Sequence, residues 1–164
     1  MCGIVGFVGK QGNKEQILDD MMKVIIHRGP DSAGKYVNDQ VALGFRRLSI
    51  IDLENGSQPM FNEDGEVGIV FNGEIYNSPE LRERFLAKGH VFKNSSDTET
   101  LIHGYEEYGE KLVHELRGMF GFAIWDSKEK TLFAARDFFG IKPFYYAEIN
   151  GNLVFASEIK AILE

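Results

Sequence analysis

The stretch MFGFAIWD at residues 119–126 decides the fold when it is read with TLFAARD at 131–137, PFYYAEI at 143–149 and LVFAS at 153–157. All four are short runs rich in aromatic and β-branched side chains and separated by turn residues, the composition of strands. Upstream, Ile4 to Val8 forms a β-branched run closed by Gly9, which predicts a buried strand almost at the first residue. Ile17, Met21, Met22, Val24 and Ile25 recur at near-helical spacing within 14–26, predicting a helix that stops before the Gly29-Pro30 breaker and the loop HRGPD at 27–31. Tyr36–Val37 and Val41–Phe45 read as strands paired around an Asn38-Asp39 turn, and Val67–Phe71 as a strand ending at Asn72-Gly73. Pro79 opens a predicted helix to about Lys88, and Asp97 is expected to cap a longer one carrying Leu101, His103 to Tyr105 and Tyr108. The closing SEIKAILE reads as a brief helix. Strands lead and trail with helices gathered between them, which predicts an α+β fold of antiparallel sheets covered by helices instead of a βαβ series. Without a linker, repeat or low-complexity stretch, residues 1–164 are expected to form one domain.

Composition narrows the function classes. A net charge of -7 without long basic runs argues against a nucleic-acid or anionic-membrane surface. The single cysteine cannot form an internal disulfide, so a cytoplasmic setting is expected. The first nine residues lack the charged start and cleavage site of a signal peptide, and no run approaches the roughly 18 apolar residues of a membrane span.

That cysteine is residue 2, behind an initiator methionine of the kind that is removed before a small residue. Once Met1 is gone, Cys2 carries a thiol that titrates near pH ~8.5 and an α-amine that titrates near ~8. Nucleophile and base then share one residue, a known route to covalent catalysis. Position alone equally allows a small residue with no further role. Asn72-Gly73-Glu74 is similarly open: Asn-Gly is a strong hairpin signal, and an Asn amide beside a glycine N–H also supplies the two donors of an oxyanion hole. In FRRLSIID the adjacent Arg46 and Arg47 must face opposite sides of a strand, so one can point inward as a bidentate carboxylate partner or both can serve as surface charges. Asp97 needs no role beyond capping, yet an arginine for a carboxylate and an aspartate for an ammonium would together recognise a free α-amino acid. His27, His90, His103 and His114 fall in no catalytic context, and their spacing with one cysteine predicts no metal site. The nucleotide-cradling glycine loops are also missing from the sequence.

Cys2-Gly3-Ile4, HRGPD at 27–31, RRLSIID at 46–52, NGEIYN at 72–77, SDTE at 96–99, GMFGFAIWD at 118–126, RDFFGIKPFYY at 136–146 and FASEIKAIL at 155–163 together resemble the glutaminase domain of glutamine-dependent asparagine synthetases. These are class II glutamine amidotransferases, within the N-terminal nucleophile hydrolases. The resemblance spans nearly the whole chain, in family order and spacing. It implies a four-layer αββα sandwich of two antiparallel sheets between helices. It implies Cys2 as the nucleophile that releases ammonia from L-glutamine through a γ-glutamyl thioester, with Asn72 and Gly73 as the oxyanion hole. Arg47 matches the clamp on the glutamine α-carboxylate, Leu48, Ser49, Ile50 and Ile51 the adjoining wall, and Glu74 and Asp97 the receivers of the α-ammonium. His27 and Arg28 match a loop near the active site. Phe45 departs from the family, which commonly has His there. The resemblance further implies no cofactor for this domain, a C-terminal synthetase domain that would use ATP and Mg, and a homodimer as an assembly to consider. A glutaminase domain of another class II amidotransferase, and a non-catalytic module on the same fold, are the competing readings.

Overall fold

A computed structural model describes residues 1–10, 12–48 and 57–164. In chain order the elements are β1 (Gly3–Val8), α1 (Lys14–Val24), β2 (Ser32–Val37), β3 (Val41–Arg47), β4 (Met60–Phe61), β5 (Val67–Ile75), α2 (Ser78–Ala87), α3 (Asp97–Tyr108), β6 (Gly118–Asp126), β7 (Thr131–Arg136), β8 (Tyr145–Ile149) and β9 (Asn152–Ala156). Short 3-10 turns cover Ile26–Arg28, Gly109–His114 and Ile159–Ile162, the last standing where a brief helix was expected.

The strands form two antiparallel sheets, one ordered β2-β3-β1-β9-β8 and the other β4-β5-β6-β7. Alternation along each strand fills three apolar layers. On β1 and β3, Ile4, Val41, Leu43 and Phe45 point between the sheets, where they meet Val70, Ala123 and Trp125 of the second sheet. Val5, Phe7 and Ala42 point the other way, against Leu18, Met21 and Met22 of α1. The outer face of the second sheet carries Ile69, Phe71, Phe122 and Ile124 and is covered by Leu81 and Phe85 of α2 and Leu101 and Ile102 of α3. This is the αββα sandwich. Burying side chains such as Ile4, Phe122 or Phe155 contributes roughly 1.5–3 kcal/mol each, so the helices hold their places mainly by packing. At α1 this is plain, because its N-cap residue Asn13 makes no side-chain capping bond.

Two expectations need correction, and one strand went unread. Asn72-Gly73 does not end a strand: β5 runs through it to Ile75, paired with Gly118 to Asp126 of β6. The hairpin signal loses here because β6 offers an in-register partner with aromatic and β-branched residues along the whole length. The cap of α3 is Ser96, whose hydroxyl accepts the Glu99 N–H at 3.3 Å. Asp97 is instead the first residue of the helix, and its carboxylate turns to the backbone of β5. The strand β4, just two residues long, carries too little pattern to be read from sequence.

Candidate active site

Cys2 stands immediately before β1, so the position of its thiol follows from how the start of that strand is held. Two contacts with the end of β9 hold it: the Ile4 N–H donates to the Ser157 hydroxyl at 3.0 Å, and the Ser157 N–H donates to the Ile4 carbonyl at 2.8 Å. The Arg28 Nε–H donates to the Cys2 carbonyl at 3.2 Å, while Arg28 Nη1 donates to Glu158 at 3.1 Å. Glu158 also pairs with His27 at 2.9 Å and Lys160 at 3.1 Å. HRGPD and FASE are therefore two halves of one clamp on the Cys2 backbone, and Gly29 has a steric reason to be there, since a Cβ would lie 2.3 Å from the Arg46 carbonyl carbon.

Partial burial of Glu158 works against its charge, but the hydrogen bonds from His27, Arg28 and Lys160 prevail and bring its pKa from an ordinary 4.5 down to about 2. A depressed carboxyl stabilises the fold fully above about pH 4.5 and ceases to do so as pH falls towards 2. Glu158→Gln should therefore be less stable than the parent at neutral pH, with the difference shrinking through that window. Urea unfolding at stepped pH checks this; a gap independent of pH would mean that the clamp acts through packing alone.

The Cys2 thiol opens into a cavity of about 460 Å³ walled by residues of both sheets and the start of α3. Its sulfur lies 3.9 Å from the Leu48 carbonyl. Phe45 and Arg47 reach it from β3, Asn72, Gly73 and Glu74 from β5, and Asp97 from α3. By strand alternation Arg46 takes the opposite face of β3, so the inward arginine is Arg47. Phe45 is buried between the sheets and supplies apolar wall where a polar side chain was the family expectation. Ser49, Ile50 and Ile51 lie outside the described residues. His27 and Arg28 do not line the cavity; they act from behind the strand.

Asn72 is 4% exposed, and its Nδ2 is buried without a hydrogen-bond partner. A buried amide donor left unpaired costs about 1–3 kcal/mol, so an acceptor delivered to this cavity is favoured. Beside it, β5 forms an open edge because β4 pairs no farther than Ile69. On that edge the Phe71 N–H donates to Gln58 Oε1 at 2.6 Å and the Ile75 N–H to Asp97 Oδ2 at 3.0 Å. Alternate residues of a strand direct their N–H groups to the same side, which puts the Gly73 N–H on this edge between the two. Residue 73 must be glycine because a Cβ would come within 2.2 Å of the Met119 carbonyl oxygen on β6.

Electrostatically the cavity is divided. Burial pushes the Asp97 carboxyl above its ordinary pKa, and the neighbouring Glu74 charge adds to the rise against the hydrogen bond from Ile75. A cation between Asp97 and Glu74 would relieve both effects. The same cavity is lined by Arg47 and the buried Lys142, whose Nζ is 3.3 Å from Met1 Sδ and pairs with no carboxylate among the described residues. Lys142 is fixed through Asp137: burial opposes that carboxylate's charge, but the N–H groups of Lys142, Ile141 and Phe120 donate to it and hold its pKa below the ordinary range. Gln58 escaped sequence reading because it lies in no motif, and Lys142, although within RDFFGIKPFYY, was assigned no role because nothing local shows that its side chain reaches the cavity.

The model of the glutamine amidotransferase domain family matches residues 1–164. Asparagine synthetase [glutamine-hydrolyzing] 1 of Bacillus subtilis is 49% identical over 99% of this chain and 27% of its own length. Asparagine synthetase [glutamine-hydrolyzing] 2 of Arabidopsis thaliana is 41% identical over 99% of this chain and 28% of its own. The chain thus spans between a quarter and a third of these relatives. Among solved structures, glutamine phosphoribosylpyrophosphate amidotransferase from B. subtilis, complexed with ADP and GMP, superposes over 98% of this chain and 43% of its own with a TM-score of 0.82 at 22% identity, a likeness of fold.

Proposed function

The chain belongs to the glutamine amidotransferase domain family, and on that premise we propose that it hydrolyses the side-chain amide of free L-glutamine through a thioester on Cys2. The buried, unpartnered Nδ2 of Asn72 in the cavity that receives the Cys2 thiol carries this reading. It is a donor with no acceptor, set where an oxyanion would form.

Removal of Met1 converts the Cys2 nitrogen from a peptide amide to an α-amine able to take the thiol proton. The sulfur then attacks the amide carbon, and the carbonyl oxygen becomes an oxyanion held by Asn72 Nδ2 and the Gly73 N–H. The protonated amine passes its proton to the departing nitrogen, so that ammonia leaves and a γ-glutamyl thioester remains. Water, deprotonated by the same amine, attacks the thioester carbon; the C–S bond breaks, glutamate departs and the thiol recovers its proton. Arg47 holds the substrate α-carboxylate, with Leu48 and the segment Ser49 to Ile51 beside it, and Asp97 with Glu74 receives the α-ammonium, so glutamine within a peptide is excluded.

The ammonia is proposed to serve ATP-dependent asparagine synthesis by a synthetase domain following this one, where ATP and Mg would act. The identity to glutamine-hydrolysing asparagine synthetases supports that acceptor. So does the loop carrying Lys142, which leaves Phe138 95% and Phe139 83% exposed, apolar surface of the kind a partner covers.

Intact mass spectrometry before and after 6-diazo-5-oxo-norleucine, a reactive glutamine analogue, tests the reading. Loss of Met1 and one adduct, mapped to Cys2, is the expected result. A processed chain that takes no adduct, or takes it elsewhere, removes Cys2 from the reaction; a chain that keeps Met1 and stays inert favours a non-catalytic module.

A further inference from the structure

We infer that His90, His103 and Glu106 form a binding site for a divalent cation of the zinc class in the outer helical layer, separate from the Cys2 cavity that none of them lines. His103 and Glu106 stand one turn apart on α3. His90 follows α2, where Gly89 takes φ 99° and returns the chain so that the His90 N–H donates to the Phe85 carbonyl at 3.1 Å. The two rings are wedged by edge contacts, His90 against Phe85 and His103 against Phe92.

The donor atoms have the geometry of a coordination face. His90 Nδ1 and His103 Nδ1 are 3.1 Å apart, and Glu106 Oε2 is 2.8 Å from the second and 3.4 Å from the first. Tetrahedral ligands at zinc's usual bond lengths are about 3.3 Å from one another. An ion at about 2.05 Å from all three atoms would stand roughly 1 Å above their plane and keep a fourth position open. Without an ion the three atoms are held by ring protons alone: a hydrogen on His103 Nδ1 is shared between Glu106 and His90, or a hydrogen on His90 Nδ1 between Glu106 and His103, and a cation can take the place of those protons. Meanwhile His103 Nε2 is fully buried with no hydrogen-bond partner.

His90 and Glu106 also have hydrogen-bonded outer partners of the kind that orient metal ligands. His90 Nε2 faces Glu107 Oε1 at 2.9 Å, which fixes the tautomer that leaves Nδ1 free to coordinate. Asn62 donates to the other Glu106 oxygen at 2.8 Å, and Glu63 lies 3.8 Å from His103 Nε2. The surroundings attract positive charge: besides Glu106, the carboxylates of Glu107 and Glu63 lie 2.9 Å from His90 Nε2 and 3.8 Å from His103 Nε2. Lys88 is the opposing cation, and it is engaged by Glu107. An ion here would tie the α2–α3 connection to α3 and add to stability.

The test is calorimetric titration of the full chain with Zn²⁺, in the Cys2→Ala background so that the thiol cannot compete, with Co²⁺ absorption as a report of nitrogen coordination. One ion per chain is expected, with affinity falling at least about tenfold in both His90→Gln and Glu106→Gln. Both substitutions lie at partly exposed positions, and matched far-UV spectra would show that the variants fold; the fully buried His103 is left intact for that reason. No saturable uptake up to on the order of 1 mM Zn²⁺, or undiminished affinity in either variant, overturns the site.

Discussion

Cys2→Ala is expected to lower glutamate release from glutamine by on the order of 10⁴-fold or more, the scale seen when a covalent nucleophile is deleted, while glutamine still binds. The split follows from the cavity. In the proposed mechanism the thiol contributes the bond that forms, whereas affinity would rest on Arg47 and on Asp97 with Glu74; the sulfur's own contact is the Leu48 carbonyl. The fold should be undisturbed, because the start of β1 is held through the backbone of Cys2 and Ile4 by Arg28 and Ser157, contacts an alanine preserves. A chain that keeps Met1 should be as inactive as the variant, since its Cys2 nitrogen is an amide and Met1 itself lies on the cavity wall against Lys142. Steady-state glutamate assays beside calorimetry with glutamine separate the two quantities. Residual turnover above about one part in a hundred in Cys2→Ala would place the nucleophile elsewhere.

How far the sequence could be read depended on whether the deciding force was local. Of the strands of the C-terminal half, β6 was legible because its aromatic and apolar residues are buried on both faces between helices and a second sheet, whereas β7 and β8, whose side chains are half-buried or exposed, were legible from strand-type composition and the turns between them. Arg47 was legible as one of two alternatives, and the strand parity that sends it inward comes from Phe45 and Leu43 on the same face. Asn72-Gly73 was not, since the chemistry of an Asn-Gly turn and that of an edge strand lined by donors use the same two residues, and pairing with β6 chose between them. Asp97 looked like a cap for a similar reason. Ser96 takes that role and frees the Asp97 carboxylate to hold the edge of β5, a long-range bond that nothing in SDTE announces. Gln58, Lys142 and the His90–His103–Glu106 group reach their partners only through tertiary structure. The family resemblance supplied the site residues themselves, which periodicity and spacing would have left as turns, caps and surface charges.

Asn72→Ala is expected to reduce kcat by roughly 10²–10³ with little change in KM, the effect of removing one oxyanion donor. Without substrate Asn72 Nδ2 has no hydrogen-bond partner, and its interaction with the substrate carbonyl strengthens as negative charge gathers on that oxygen; an interaction stronger in the transition state than in the bound substrate appears in kcat and not in binding. Stability offers an independent check. Deleting a well-bonded buried amide would destabilise the domain, but this nitrogen already bears its desolvation without recompense. Asn72→Ala should therefore unfold close to the parent, its remaining cost being the small volume lost at a buried position. The adjacent donor cannot be tested this way. A side chain at Gly73 would collide with the β6 backbone and confound catalysis with folding. Asn72→Asp provides the complement: it retains the shape, replaces the donor with a negative charge facing the oxyanion, and should be at least as slow as the alanine variant. If Asn72→Ala kept its kcat and raised KM instead, Asn72 would be a ground-state contact, and the oxyanion would have to be held by the Gly73 N–H with one of the two cations that line the cavity, Arg47 or Lys142.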